Sequence, residues 1–161
     1  MDATSFVQAV RERLHPNPYA GLLQAGGPFG LILARARGRY AHDVLGVIEL
    51  PEACDAAALI SQAREDIAAR FGSLCYRREV VLHLIVHGPI ARWQDEVARL
   101  VPDRLGFRGV MVQSVYLVDP ATGAGHKSVS KWGPFRLSRR GRQAADEVAE
   151  SVEPLLTAAA D

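Results

Sequence analysis

Hydrophobic and polar positions along this chain follow two different periods, and each change of period marks a boundary between predicted elements. Apolar residues three or four positions apart predict helices, whereas strict alternation and short continuous apolar runs predict strands. The predicted helices cover residues 6–14, 56–71 and 91–100, and a last segment that begins at Ser138. The predicted strands cover residues 29–37, 44–50, 77–87, 110–119 and 126–132.

The order of these elements predicts the fold class. It reads α-β-β-α-β-α-β-β-α, in which each strand-helix-strand step implies a parallel crossover and each hairpin an antiparallel pair. A chain of 161 residues is long enough for one domain with a closed core. We therefore expect an α/β fold of the mixed α+β kind, a single globular domain over residues 1–161 with a mixed five-stranded sheet and about four packing helices.

Polar residues next to the apolar periods predict where the helices begin and end. Ser5 and Gln8 have the spacing of a capping box, which places the start of the first helix directly after Ser5. Asp55 is a favourable N-cap for the second helix, and Gly72 supplies its C-terminal stop. Ser138 is the expected cap of the last helix.

The strand predicted over residues 77–87 is apolar on both faces, which is typical of a strand in the centre of a sheet. One face carries polar residues among apolar ones, at Glu79, Val81, His83, Ile85 and His87. His83 and His87 are four residues apart, roughly 13 Å along a strand, which is too far for both to bind one metal ion. We expect His83 to be hydrogen-bonded inside the core and His87, at the strand end, to be the more suited to a function.

Composition and charge exclude several classes of protein. The chain is 48% hydrophobic and 23% charged, with a formal net charge of +1, so it is expected neither to be disordered nor to bind nucleic acid through its overall charge. Its first residues lack the pattern of a signal peptide, and its longest apolar run is too short to span a bilayer. Cys54 and Cys75 are expected to be free thiols. We therefore expect a cytoplasmic protein without a membrane span.

A glycine-rich loop at residues 123–128 has only some features of a phosphate-binding loop. Such a loop requires a contiguous Gly-Lys-[Ser/Thr] followed by a helix, whose first amides hold the phosphate. Here His126 separates Gly125 from Lys127, and the residues that follow alternate as in a strand. The Gly-x-Ser-x-Gly pattern of many hydrolases is also absent from the sequence. We therefore expect neither nucleotide hydrolysis nor a bound cofactor.

One stretch near the C-terminal end combines basic and aromatic residues. Its candidate binding residues are Lys127, Lys131, Trp132, Phe135, Arg139, Arg140 and Arg142. Basic side chains contact phosphates and aromatic rings stack on bases, so this stretch has the chemistry for nucleic acid or an anionic partner. The alternative is structural, because the acidic residues of the next helix have the spacing to pair with these arginines.

Three carboxylates on neighbouring predicted strands, Asp43, Glu49 and Glu79, are the candidate metal ligands if the chain binds a metal at all. Carboxylates on adjacent strands hold the metal in magnesium-dependent nucleases. The PD-(D/E)xK nuclease family also requires a lysine two residues after an acidic residue. Neither Glu49 nor Glu79 has one, which disfavours an active nuclease and leaves a degenerate relative as an alternative.

These patterns favour a function in binding. The leading hypothesis is a non-enzymatic protein-interaction or regulatory domain, with a protein partner or a second copy of the chain docking near Trp132 and Phe135. The first alternative is nucleic-acid or phosphate binding through residues 127–142. The second is a metal-dependent hydrolase that uses Asp43, Glu49, Glu79 and His87.

Overall fold

The computed structural model describes residues 1–39, 41–50, 55–72, 79–91, 93, 110–129 and 135–160. This part of the chain contains three helices and six strands. In chain order they are α1 (Ala3–Leu14), β1 (Gly21–Leu23), β2 (Phe29–Arg37), β3 (Ala41–Glu49), α2 (Ala56–Phe71), β4 (Glu79–His87), β5 (Val110–Asp119), β6 (Ala124–Val129) and α3 (Phe135–Ala160). In α3, side chains are described for residues 142–157.

All six strands form one mixed sheet, whose spatial order β1-β2-β3-β4-β5-β6 follows the chain. Strands β3, β4 and β5 are parallel and central, whereas β1, β2 and β6 pair antiparallel at the two sides. The prediction of a mixed α+β sheet with a central, doubly buried β4 is therefore confirmed. Every residue of β4 after Glu79 is buried.

The predicted count of five strands is wrong, because β1 adds a sixth at the edge next to β2. This strand has only three residues, too few to show an alternation, and its central residue, Leu22, is 44% exposed. Its backbone pairing with β2 defines it as a strand, and that pairing leaves no hydrophobic signature in the sequence. The third predicted helix, over residues 91–100, lies mostly outside the described residues, and Cys54 and Cys75 lie outside them as well.

The helix boundaries confirm both predicted caps of α2 and correct the predicted starts of the first and last helices. In α2 the Asp55 carboxylate accepts a hydrogen bond from the amide of Ala57 at 2.8 Å, and the helix ends at Gly72, whose positive φ of 52° favours glycine. In α1 the cap is Asp2 rather than Ser5, because the Asp2 carboxylate accepts from the Ser5 amide and its hydroxyl. Helix α3 begins at Phe135 rather than at Ser138.

Helices cover both faces of the sheet, so the core has two layers. Helix α2 packs on one face through its buried residues Ala56, Leu59, Ala63 and Ile67. Helices α1 and α3 pack side by side on the other face. The buried residues they contribute there are Phe6, Val10, Leu14, Val148, Ala149, Val152 and Leu156. Because side chains alternate along a strand, Asp43, Glu49, Glu79, His83 and His87 all lie on the α1/α3 face.

The α2 face contains one close approach that requires glycine. A Cβ atom at Gly46 would overlap the ring of Phe29 and would lie 2.8 Å from its Cδ1 atom. Both residues are in the sheet interior, where the ring has little room to move. Gly46 therefore allows β2 to place an aromatic ring over β3. Gly30 differs, because a Cβ there would meet only Val7 and the Val47 backbone, at 3.8 Å or more.

We predict that Gly46→Ala lowers the free energy of unfolding by about 1–3 kcal/mol, because the added methyl group overpacks the core against Phe29. The matched Gly30→Ala variant, on the neighbouring strand, should change it by less than about 0.5 kcal/mol. Urea titrations monitored by circular dichroism measure both values. Equal losses in the two variants would contradict the assignment of the strain to Phe29.

Candidate functional site

Polar groups lie at both ends of the α1/α3 face, and the buried residues between them are mostly apolar. Strand register places Asp43 and Glu79 near the beginnings of β3 and β4, and Glu49 opposite His87 where the two strands end. Asp43 and Glu49 are six residues apart on one strand, which corresponds to about 20 Å. The structure thus separates the sequence-predicted residues into two groups with different surroundings.

The group at the beginnings of the strands is an ion-pair cluster of Arg35, Arg37, Asp43 and Glu147, here called the arginine cluster. Asp43 is fully buried, and its Oδ2 atom accepts from Nε of Arg35 at 3.0 Å and from Nε of Arg37 at 2.9 Å. Its Oδ1 atom accepts from Nη2 of Arg37. Arg35 also donates to Glu147 of α3 at 2.7 Å. The guanidinium of Arg35 lies 5.0 Å from the ring centroid of Tyr19.

The arginine cluster connects α3 to the sheet through the ion pair between Arg35 and Glu147. Three hydrogen bonds from guanidinium groups occupy most of the about four lone-pair sites of the Asp43 carboxylate, and the two adjacent positive charges disfavour a metal ion there. A cleft of about 220 Å³ opens beside the cluster and is lined by its four residues together with Gln143 and Ala144. The alternation along β2 predicts that Arg35 and Arg37 lie on the same face as buried residues. Charged side chains on such a face require charged or hydrogen-bonding partners. No local pattern identified Glu147 as one of them, because it lies 112 residues from Arg35 in the chain.

His83 and Ser114 form a second polar contact deeper in the same face. Nδ1 of His83 and Oγ of Ser114 share a hydrogen bond of 2.8 Å, and neither residue is more than 3% exposed. Burial lowers the pKa of His83 to about 4, although the nearby Asp43 carboxylate acts in the opposite direction. The prediction of a hydrogen-bonded core histidine is confirmed. A histidine in contact with a serine can activate the serine as a nucleophile. Here both residues are buried, so a substrate cannot reach the pair.

The group at the strand ends is arranged around His87. His87 is only 3% exposed. The centroid of its ring lies 5.5 Å from that of Phe6, and the two rings are tilted relative to each other. Within the described part of the chain, no side chain forms a hydrogen bond with its imidazole. Burial lowers the pKa of His87, and the carboxylate of Glu49 partly offsets this effect. The imidazole is therefore neutral at pH 7 and offers one donor and one acceptor nitrogen.

Two open clefts meet at His87, and we call them together the His87 crevice. Both are lined by Ala3, Glu49 and His87, which shows that they adjoin. The larger has a volume of about 450 Å³ and continues along Thr4, Val7, Gln8, Gly27, Pro28, Phe29 and Gly30. The smaller has a volume of about 270 Å³ and continues along Met1, Leu50, Gly88, Pro89, Asp119, Pro120 and Ala121. The crevice therefore has α1 as one wall and the ends of the central strands as the other.

The structure does not bring the three candidate metal ligands together. Asp43 and Glu79 are neighbours: burial raises the pKa of Glu79, the Arg37 guanidinium acts in the opposite direction, and the Asp43 carboxylate adds to the increase. Glu49 lies at the opposite end of β3. In the described part of the chain, no group of three or more histidine, cysteine, aspartate or glutamate residues has a geometry that would hold a metal ion.

The predicted basic surface is described only in part. Lys131 and Trp132 lie outside the described residues, and the side chains of Phe135, Arg139 and Arg140 are not among those described. Arg142 is exposed on α3. Lys127 on β6 donates to Asp146 of α3 at 2.7 Å, which favours the structural interpretation for that lysine. Binding through the surface as a whole stays a prediction.

No family model, curated protein or solved structure matches this chain. Among the described residues, no helix is long and apolar enough to cross a membrane. The geometry of the His87 crevice is therefore the strongest guide to function. Sequence patterns identified Glu49 and His87, but they missed the wall formed by Thr4, Val7 and Gly30, because α1 and β2 meet β4 there only in the folded chain.

We predict that Asp43→Asn lowers the free energy of unfolding by about 3 kcal/mol, because two partly buried guanidinium groups lose their shared charge partner. Glu147→Gln removes the outer ion pair, whose glutamate side chain is 38% exposed, and should cost less than about 1 kcal/mol. Chemical denaturation of the two variants gives the comparison. Similar small losses in the two variants would contradict the assignment of the buried charge of the cluster to Asp43.

We predict that stability falls as the pH decreases from about 6.5 to about 4, the interval between the ordinary pKa of histidine and that of buried His83. In this interval the unfolded chain binds a proton at His83 that the folded chain does not, so acid favours unfolding, by about 3 kcal/mol over the whole interval. His83→Gln removes this titration and should flatten the profile. Urea unfolding across the pH range tests it, and parallel wild-type and variant profiles would refute it.

Proposed function

We propose that this chain is a non-enzymatic regulatory domain that binds a small ligand in the His87 crevice. The observation that carries the proposal is an imidazole that is almost fully buried, lines both clefts and has no hydrogen-bonding side chain among the described residues. Its ring nitrogens are not among the buried side-chain atoms that lack a partner, so they open to the crevice, where a ligand can replace water as their hydrogen-bond partner. The inaccessible Ser114–His83 pair favours binding over catalysis.

The location of the crevice supports the proposal. Glu49 and His87 are the last residues of two adjacent parallel strands, and ligands of open α/β sheets bind outside the carboxyl ends of such strands. Clefts of 270 and 450 Å³ that adjoin have the capacity for a small molecule. The lining combines apolar surface with a few polar groups, which is the usual composition of a small-molecule site.

The wall formed by α1 supports a regulatory role. This helix is held to the sheet by Phe6, Val10 and Leu14, which are all buried, whereas Thr4 and Gln8 face the crevice from its exposed side. A ligand between Thr4 and His87 would contact both α1 and the strand ends. Since it would bind the docked helix and not a detached one, it would stabilise the docked state by mass action. A protein partner that contacts α1 would then respond to the ligand.

We predict that Gly30→Leu abolishes ligand binding without unfolding the domain. Gly30 is exposed and lines the larger cleft, so a leucine side chain that passes Val7 would fill the space between α1 and β2. The matched control is Ala36→Leu, which adds the same side chain at an exposed position of β2 beyond the crevice.

Amide chemical shifts in nuclear magnetic resonance provide the measurement, with a library of fragments of about 10–15 non-hydrogen atoms as the probe. Fragments that bind the wild-type protein and the Ala36→Leu variant should shift the amides of Thr4, Gly30 and His87. The same fragments should leave these amides unchanged in Gly30→Leu. Equal binding in all three proteins, or no fragment at these amides, would refute the proposal.

A further inference from the structure

We propose that the His87 crevice selects a ligand with a positive charge, namely a small amine with an apolar body. This inference rests on the proposed function and adds the chemical class of the ligand. It is carried by the charges that line the larger cleft, where, among the described residues, Glu49 is the one carboxylate and no lysine or arginine takes part. Glu49 is exposed and lies directly opposite His87 in the strand register, so a single ligand group can reach both.

His87 complements this carboxylate instead of neutralising it. Because burial lowers its pKa, the imidazole is uncharged at pH 7 and does not act as the cation for Glu49. A neutral imidazole has one acceptor nitrogen, and an ammonium group has three donors. An ammonium ligand can therefore donate one hydrogen bond to Glu49 and a second to His87. An anionic ligand would meet the charge of Glu49 without a compensating cation from the same cleft.

The other charges around the crevice do not reverse this preference. The N-terminus of α1 contributes a partial positive charge, but the Asp2 carboxylate caps it by accepting from Ser5, and this contact lowers the pKa of Asp2. Arg70 approaches Gly26 near the far end, but it pairs with Asp66 at 2.8 Å.

The smaller cleft contains both positive and negative charges, and it does not favour an anionic ligand. Its cation is the amino group of Met1, which donates to the carbonyl oxygen of Pro120 at 3.3 Å. Its second carboxylate is Asp119, which accepts from the amide of Ala121 at 3.0 Å. With Glu49 shared between the clefts, carboxylates outnumber cations among the described residues that line the crevice.

The apolar part of the ligand follows from the remaining wall. Val7 and Pro28 both line the larger cleft, and Gly30, where a Cβ atom would lie 3.8 Å from Val7, adds lining without a side chain. A flat ring or a short alkyl chain can lie over this floor with its amine directed to Glu49 and His87. The site thus favours an arylalkyl or alkyl amine over an inorganic cation, which would leave the apolar wall uncovered.

The test uses three probes of nearly equal size that differ in charge: 2-phenylethylamine, 2-phenylethanol and phenylacetate. Each is titrated into the whole chain at pH 7.5 and low salt, and the shifts of the Thr4, Gly30 and His87 amides give the dissociation constants. We expect the amine to bind about fivefold more tightly than the alcohol, the range of a partly exposed ion pair, and phenylacetate to bind more weakly than either. Added salt should reduce the advantage of the amine.

The variants Glu49→Gln and Glu65→Gln identify the carboxylate responsible. Glu49→Gln should bring the ratio of amine to alcohol affinity close to one. Glu65→Gln removes an exposed carboxylate from α2, on the opposite face of the sheet, and should leave the wild-type ratio unchanged. The same loss in both variants would indicate a general effect of net charge and would overturn the inference.

The outcomes separate this inference from the proposed function. If the alcohol or phenylacetate binds at these amides as tightly as the amine, the charge preference is wrong, while ligand binding in the crevice stands. If none of the three probes shifts these amides but other fragments of the library do, the amine class is wrong and the crevice is still a binding site. If no probe and no fragment shifts them, both proposals fail.

Discussion

The parallel pairing of β3, β4 and β5 is the constraint on which the rest of this structure depends. These strands carry apolar side chains on both faces, so each face must be covered before the sheet is stable in water. Helix α2 covers one face, and α1 together with α3 covers the other. The antiparallel strands β1, β2 and β6 then extend the sheet on both sides of this doubly covered centre.

The surroundings of the polar residues on the α1/α3 face depend on how far the two helices extend over each end of the sheet. Near the strand beginnings, α3 reaches over the sheet and buries Asp43, and two arginines with Glu147 satisfy the charge there. At the strand ends, α1 approaches with a small gap, so Glu49 stays exposed and His87 borders a crevice. Carboxylates of the same strand thus have opposite roles, because one is enclosed by partners and the other faces open space.

A carboxylate on a strand is therefore a weak guide to function until its distance to other groups is known. Asp43, Glu49 and Glu79 suggested a shared metal site because they fall on neighbouring strands, yet strand length separates Glu49 from the other two. Lys127 suggested an anion-binding surface, and its partner Asp146 lies on a helix that returns to the same sheet edge. The neutral His87 is more informative, since it is buried at the edge of a cleft and not inside a network of ion pairs.

Local periodicity alone was sufficient for most of the fold. The bounds of β2, α2 and β5, the caps of α2 and the central position of β4 all follow from alternation, helical spacing and capping chemistry, which involve residues close in sequence. The edge strand β1 was not predictable, because its three residues are defined by backbone pairing with β2. Only the tertiary structure decided that Arg35 meets Glu147 and that Thr4, Gly30, Glu49 and His87 surround one crevice. These contacts join residues far apart in the chain, and their distances depend on how α1 and α3 cover the sheet.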